Sequence, residues 1–247
     1  MTAAPTSAVR ARGLSVVRGG KDILHGVDLD IPAGHVTGLL GPSGSGKTTL
    51  MRAMVGVQDN VTGELTVLGE PAGAAALRRR VGYDTQAASV YADLTVRANV
   101  EYFASLAGLR GSDAKDAVDA ALTSVDLTFH AAQRIASLSG GERSRASLAA
   151  TFVGNPELII LDEPTVGLDP VLRRALWELF RRLADDGRTL VVSSHVMDEA
   201  SRCDRLILMR DGRVMASTTP DDLLADTGTT DAESAFLALI DREGSAS

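Results

Sequence analysis

Residues 41–48 read GPSGSGKT, directly behind the apolar run HVTGLLG. A glycine, four residues, a second glycine, a lysine and a threonine make up the phosphate-loop spacing, which works only where a strand ends and a helix begins. Its glycines let backbone N–H groups converge on phosphate oxygens, and the helix that follows points the positive end of its dipole at the same charge. The chain must therefore place a strand before Gly41 and a helix from Lys47 to Gly56, with Gly41, Pro42, Ser43, Gly44, Ser45 and Gly46 forming the cradle. Lys47 is expected to hold the β- and γ-phosphates and Thr48 to ligate Mg2+, with Thr49 completing the binding surface.

The segments around this loop fit an α/β architecture. RARGLSVV and ILHGVDLDI alternate as strands do, and Gly19 and Gly20 mark a turn between them, which predicts an antiparallel edge. Short apolar runs recur at 158–161 (LIIL) and 189–194 (TLVVSS), with the helical pattern LWELFRRLADDG between them. Strands alternating with helices imply a parallel sheet. From Gln86 to Asn155 the pattern changes to consecutive helices, including TVRANVEYFASLAGL and SDAKDAVDAALTSVDL, the second with Ser112 as its expected cap. The expected division is one domain over 7–241: an α/β core about 7–86 and 155–218, a helical insertion about 87–154, and a helical tail about 219–241.

LIILDEP sets two acids behind an apolar strand, so Asp162 can emerge at the carboxyl end of the sheet, where ligands gather in such folds. Asp162 is expected to position Mg2+ through water, and Glu163 to polarise a water for attack on the γ-phosphate. His195, in VVSSHVMDEA, stands just past another buried strand and can reach the same edge, although an isolated histidine there is more often structural. The formal net charge of −7 argues against broad nucleic-acid binding, so no nucleic-acid partner is expected. The run Arg78, Arg79, Arg80 reads as a solvated segment. Cys203 is the single cysteine, so neither an internal disulfide nor a cysteine metal cluster can form. No apolar run approaches the ~18 residues of a membrane span, and MTAAPTSAVRAR lacks the apolar stretch of a secretion signal, which sets the expectation of a cytoplasmic chain.

Residues 137–145, SLSGGERSR, complete the pattern. In order along the chain stand GPSGSGKTT (41–49), Gln86 in VGYDTQ, LSGGE (138–142), LIILDEP, GLDP (167–170) and His195. This order resembles the ATP-binding cassette (ABC) family: phosphate loop, glutamine loop, signature, acid pair, D-loop and switch histidine. The resemblance covers nearly the whole chain. It implies a P-loop NTPase core of RecA-like type with a mixed, largely parallel sheet, an N-terminal antiparallel β-subdomain and an inserted α-helical subdomain. It also implies that ATP with Mg2+ is bound and hydrolysed by two subunits meeting head to tail, the second copy being this chain or a homologous ATPase. Ser139, Gly140 and Gly141 of one copy would then close over ATP held by Lys47 of the other, Asp169 would cross the interface, and Gln86 would link Mg2+ and the attacking water to a transport partner. As residues alone, SGG is a helix start able to bind an anion, and GLDP is a turn leading into a helix at Pro170.

Three departures from the family pattern stand out. Arg18, in VVRGG, occupies the position where an aromatic ring often stacks on adenine; its guanidinium can stack too, or it is a solvated turn residue. Glu142 replaces the usual signature glutamine, and Asp84 and Thr85 stand where an apolar residue and a proline are more usual. The family most often powers transport, so the resemblance implies a separate transmembrane permease, placing the chain peripherally on the inner face of the cell membrane. The stretch SVYADLTVRANVEYFASLAGL and the tail TGTTDAESAFLALI look like ATPases of two-component exporters for drugs, antibiotics, lipids or ions; importer ATPases and the non-transport ABC ATPases of DNA repair or translation are the alternatives. Tyr83, Tyr91, Tyr102 and Phe103, four of nine aromatic side chains, cluster near Gln86, where they either line a groove for a partner helix or pack within the helical insertion. In the tail, Phe236, Leu237, Leu239 and Ile240 are expected on one helical face.

Overall fold

A computed structural model describes residues 7–245 of the chain. It opens with two twelve-residue strands, β1 (Ser7–Arg18) and β2 (Lys21–Pro32), paired antiparallel. Gly19 (φ 58°) and Gly20 (φ 76°) turn between them. A two-residue hairpin whose twist matches its strands needs positive φ at both central positions, which glycine adopts freely. Next come β3 (Val36–Leu40), α1 (Lys47–Met54), β4 (Val61–Val67), β5 (Glu70–Pro71) and β6 (Val81–Asp84). The first helix stops two residues short of Gly56. A Cβ on Gly56 would come within 2.1 Å of the Gly73 Cα, so the backbones touch there and the chain must leave the helix.

Three helices follow: α2 (Val96–Leu106), α3 (Gly111–Ser124) and α4 (Gly140–Phe152). Thr95 caps α2, its hydroxyl accepting the Ala98 N–H at 3.1 Å. Ser112 does not cap α3, contrary to expectation. The chain enters that helix at Gly111, at a φ of +58°, so Ser112 already lies inside and the start has no side-chain cap. The remainder alternates: β7 (Leu158–Asp162), α5 (Pro170–Asp185), β8 (Thr189–Ser194), β9 (Arg205–Arg210), β10 (Arg213–Thr218), α6 (Pro220–Thr227) and α7 (Ala232–Ser245).

Two sheets form among the described residues. One is antiparallel, in the order β2-β1-β4-β5; the other runs β10-β9-β3-β8-β7-β6, parallel except for β10 at its edge. Every residue of β3, β7 and β8 is buried, as strands covered on both faces require. On one face, Leu39, Ile160, Val191 and Ile207 pack with α1 and the antiparallel sheet. On the other, Leu40, Ile159, Leu161 and Val192 pack with α5 and the helical insertion. Register decides where function can lie: Leu40 pairs with Ser194, and Asp162 with Ser193. The loops leaving β3, β8 and β7 thus open side by side at the carboxyl ends of three consecutive strands.

Of the arginine run, Arg78 and Arg79 are exposed, but Arg80 forms a two-pronged ion pair with Glu157 at 2.6 and 3.0 Å. In the tail, Phe236, Leu239 and Ile240 pack against the main core, whereas Leu237 is 55% exposed and lies off that face. No described helix is long and apolar enough to cross a membrane.

Candidate nucleotide site

The phosphate loop joins β3 to α1 as its spacing predicts. Gly46 caps the helix in a left-handed conformation (φ 102°) and supplies no side-chain acceptor, so the first N–H groups of α1 are left for a ligand. Lys47 is 5% exposed and its Nζ donates to the Gly41 and Pro42 carbonyls at 2.7 and 3.1 Å. Burial pulls its pKa below the ordinary lysine value, against an opposing pull from the nearby Glu163 and Asp162. The Ser45 hydroxyl is buried without a hydrogen-bond partner. Free N–H groups, an ammonium and an orphaned hydroxyl form a donor-rich cradle, which suits a polyphosphate.

At Gly41 and Gly46 the loop has no room for added atoms, whereas a Cβ on Gly44 would meet open space. A Cβ on Gly41, whose φ is +153°, would stand 2.2 Å from the Met209 carbonyl oxygen, and one on Gly46 would stand 2.8 Å from Leu24 Cδ2. Backbone oxygen yields less than a side-chain methyl, so Gly41→Ala is expected to cost about 2–3 kcal/mol in stability. Thermal denaturation checks this: the variant's Tm should fall by about 4 °C or more.

In front of the loop lies an open depression of about 340 Å³, lined by Arg18, Ile23, Ser43, Gly44, Gly46, Lys47, Thr48, Thr49, Gln86 and Glu163. Thr48 is exposed at its floor, while Gly41 and Pro42 lie behind and hold Lys47. Arg18, exposed at the end of β1, borders the depression beside Ile23.

The acids arrive from β7, separated from β3 by β8 alone. Asp162 ends β7 at 4% exposure, and its Oδ1 accepts a 2.7 Å bond from the Ser193 hydroxyl. The same hydroxyl accepts the Glu163 N–H at 2.8 Å. Glu163 stands at φ +54°, a left-handed conformation that a non-glycine residue keeps only when its surroundings enforce it. Its side chain gathers two others: Gln86 Nε2 donates to Oε2 at 3.2 Å, and His195 Nδ1 lies 3.3 Å from Oε1. Ser193, missed in the sequence, thus holds both acids; its only signal was its place two residues before His195.

Asp84 ends β6 beneath these acids. It is 5% exposed, and burial pushes its carboxyl up to about 7, with the Asp162 charge adding to the rise and the bond from Ser147 opposing it. The signature residues start α4: the Ser139 hydroxyl accepts the Glu142 N–H at 3.3 Å while Glu142 Oε2 accepts the Ser139 N–H at 2.7 Å, a reciprocal cap. The bonds from Ser139 hold the Glu142 carboxyl below its usual range. Gly140 has open space where a Cβ would stand. Asp169 caps α5, its Oδ1 accepting the Val171 and Leu172 N–H groups at 2.9 and 3.0 Å, with Pro170 first in the helix. Ser139, Gly140, Gly141 and Asp169 are absent from the lining of the depression around Lys47.

A phosphate loop between β3 and α1, with an acid pair at the end of a parallel strand one place removed in the same sheet, defines the class of P-loop nucleoside triphosphatases. Within that class, residues 24–166 match the ABC transporter family. The chain is 35% identical over 222 residues to the Nod factor export ATP-binding protein I of Rhizobium sp. (strain N33), covering 89% of this chain and 73% of that protein. It is 36% identical over 225 residues to the protein of the same name from Rhizobium meliloti (strain 1021), covering 90% and 67%. Among solved structures, an ATP-binding subunit of an ABC transporter superposes with a TM-score of 0.87 at 24% identity, covering 95% of this chain and all of that one. CbiO1 from Clostridium perfringens, part of the ABC transporter complex cbiONQ, superposes with a TM-score of 0.80 at 26% identity, covering 89% and 91%. The chain belongs to the ABC transporter family and is an ATP-binding, ATP-hydrolysing subunit.

Proposed function

We propose that two copies meet head to tail around two ATP molecules, and that the cycle of closure and hydrolysis drives a separate membrane permease in the direction of export. One observation carries the dimer: Ser139, Gly140 and Gly141 form a helix start fit for an anion, yet they do not line their own chain's depression. A second copy, turned about, supplies them to the open side of that depression. Asp169, exposed at the start of α5, then lies at the contact.

In this reading the N–H groups of residues 43–48 and the Lys47 ammonium bind the β- and γ-phosphates. Thr48, Asp162 and Gln86 would hold Mg2+, which would neutralise charge at the phosphates. Glu163 accepts the proton of the attacking water, and its contacts with Gln86 and His195 orient the carboxylate. His195 faces the terminal phosphate. Arg18 borders the base, its guanidinium replacing the usual ring.

Export is supported by the relatives, which are named for it. A permease fits a groove of about 220 Å³ lined by Tyr83, Phe103, Leu106 and Pro156 among others. Tyr91 and Tyr102, exposed and edge-to-face at 5.3 Å, stand near it in sequence. Docking there places the chain on the inner face of the membrane. The test of the shared site mixes two inactive proteins, Lys47→Ala and Ser139→Arg. A head-to-tail pair of one of each restores one intact site, so mixing should recover a substantial part of wild-type ATP turnover; a mixture as inactive as its components would reject the arrangement.

A further inference from the structure

The segment carrying Gln86 is closed by a single hydroxyl from another part of the chain. Ser147, 1% exposed in the middle of α4, donates from Oγ to Asp84 Oδ1 at 2.5 Å and accepts the Ser89 N–H at 2.9 Å. Asp84 and Ser89 bracket the loop, so one atom ties both its ends to α4, the Asp84 end being also paired with Leu161 in the sheet. Inside it, the Thr85 hydroxyl donates to the Ala87 carbonyl at 2.6 Å and lies 2.8 Å from Ser89 Oγ, folding the loop on itself. Gln86 is left facing outward to Glu163 Oε2. Asp84, Gln86, Ser144, Ser147, Asp162 and Glu163 border one cavity of about 60 Å³. Ser147 rides on the helix that Ser139 starts, so the loop reaching the hydrolytic acid and the helix presenting the signature are joined through the same hydroxyl.

We infer that Asp84 and Ser147 are positioning residues for hydrolysis: together they clamp the Gln86 loop to the signature helix and fix Gln86 against Glu163. The inference rests on the ATPase reading of the site. A buried carboxyl in place of an apolar residue at position 84 is costly unless its hydrogen bond is used, and here that bond is the fastening. Removing either partner lets the loop shift by a fraction of an ångström, enough to misplace Gln86 while leaving the phosphate loop untouched.

The test compares wild type, Ser147→Ala, Asp84→Ala and Asp84→Asn by steady-state ATP turnover and thermal denaturation. Ser147→Ala and Asp84→Ala should lower kcat about 10-fold with KM for ATP unchanged. Asp84→Asn keeps an oxygen that accepts the Ser147 hydroxyl and should recover turnover to within about 2-fold of wild type. Ser147→Ala covers the case in which Asp84→Ala fails to fold. Unchanged kcat in Ser147→Ala would overturn the inference, as would a fall in both variants that tracks loss of Tm with no rescue by asparagine. Its failure is separable from failure of the parent reading: if Glu163→Gln retains full turnover, the hydrolytic assignment falls, whereas if Glu163→Gln is inactive and Ser147→Ala turns over normally, only the clamp falls.

Discussion

Replacing Glu163 with glutamine should stop ATP turnover, by at least about 100-fold, without weakening ATP binding. The amide has the size of the carboxylate, and its oxygen can still accept from Gln86 Nε2, which now stands 3.2 Å from Glu163 Oε2. The backbone is fixed independently, by the Ser193 hydroxyl on the Glu163 N–H. What the substitution removes is the ability to take a proton. Binding and closure persist while the step that reopens the pair does not, so ATP should convert the variant into a stable dimer. Phosphate release and analytical sedimentation read the two halves separately. A variant still monomeric at saturating ATP would refute closure around nucleotide, and undiminished release would refute the role of Glu163.

The second large effect lies in binding itself. Lys47→Ala should weaken ATP affinity by on the order of 100-fold or more, because an ammonium about 4 Å from a phosphate charge contributes roughly 4 kcal/mol even in the screened setting of a protein surface. The lysine is primed for this contact. Held at 5% exposure by two carbonyls, it has lost much of its hydration before ligand arrives, and burial already lowers its pKa. A phosphate oxygen supplies the counter-charge that burial among neutral carbonyls does not. Equilibrium binding of ATP to the monomer, measured calorimetrically, checks the prediction; an unchanged Kd would mean that the N–H groups of the loop alone hold the phosphates. Lys47→Arg is no substitute, since a planar fork does not fit between the Gly41 and Pro42 carbonyls as a compact ammonium does.

Features written in short contiguous stretches were legible in the sequence. The phosphate loop, the Gly19–Gly20 turn and the buried strands at 158–161 and 189–194 each depend on neighbours a few residues away, and each is present in the structure. Legibility ended where partners are distant. Asp84 stood out only as a departure from the family pattern, because the hydroxyl that explains it lies 63 residues on. Ser193 reaches back 31 residues to Asp162. Ser112 failed as a cap for a local reason: serine preference for helix starts does not reveal that Gly111 turns the chain into α3 one residue earlier. The tail was misread by one residue of rotation, with Leu237 pointing away from the face that Phe236, Leu239 and Ile240 share.

The side-by-side endings of β3, β7 and β8 limit how this chain can change its length. Pleated strands send successive side chains to opposite sides, so one residue inserted within β7 would turn Asp162 over and carry its buried neighbours with it. An insertion between α2 and α3, at Ala107–Arg110, meets no such barrier, because that connection is anchored to no partner strand. Lineages of this domain should therefore accumulate length differences in the connections of the helical insertion and almost none inside the three strands that end at the phosphate loop, Asp162 and Ser194.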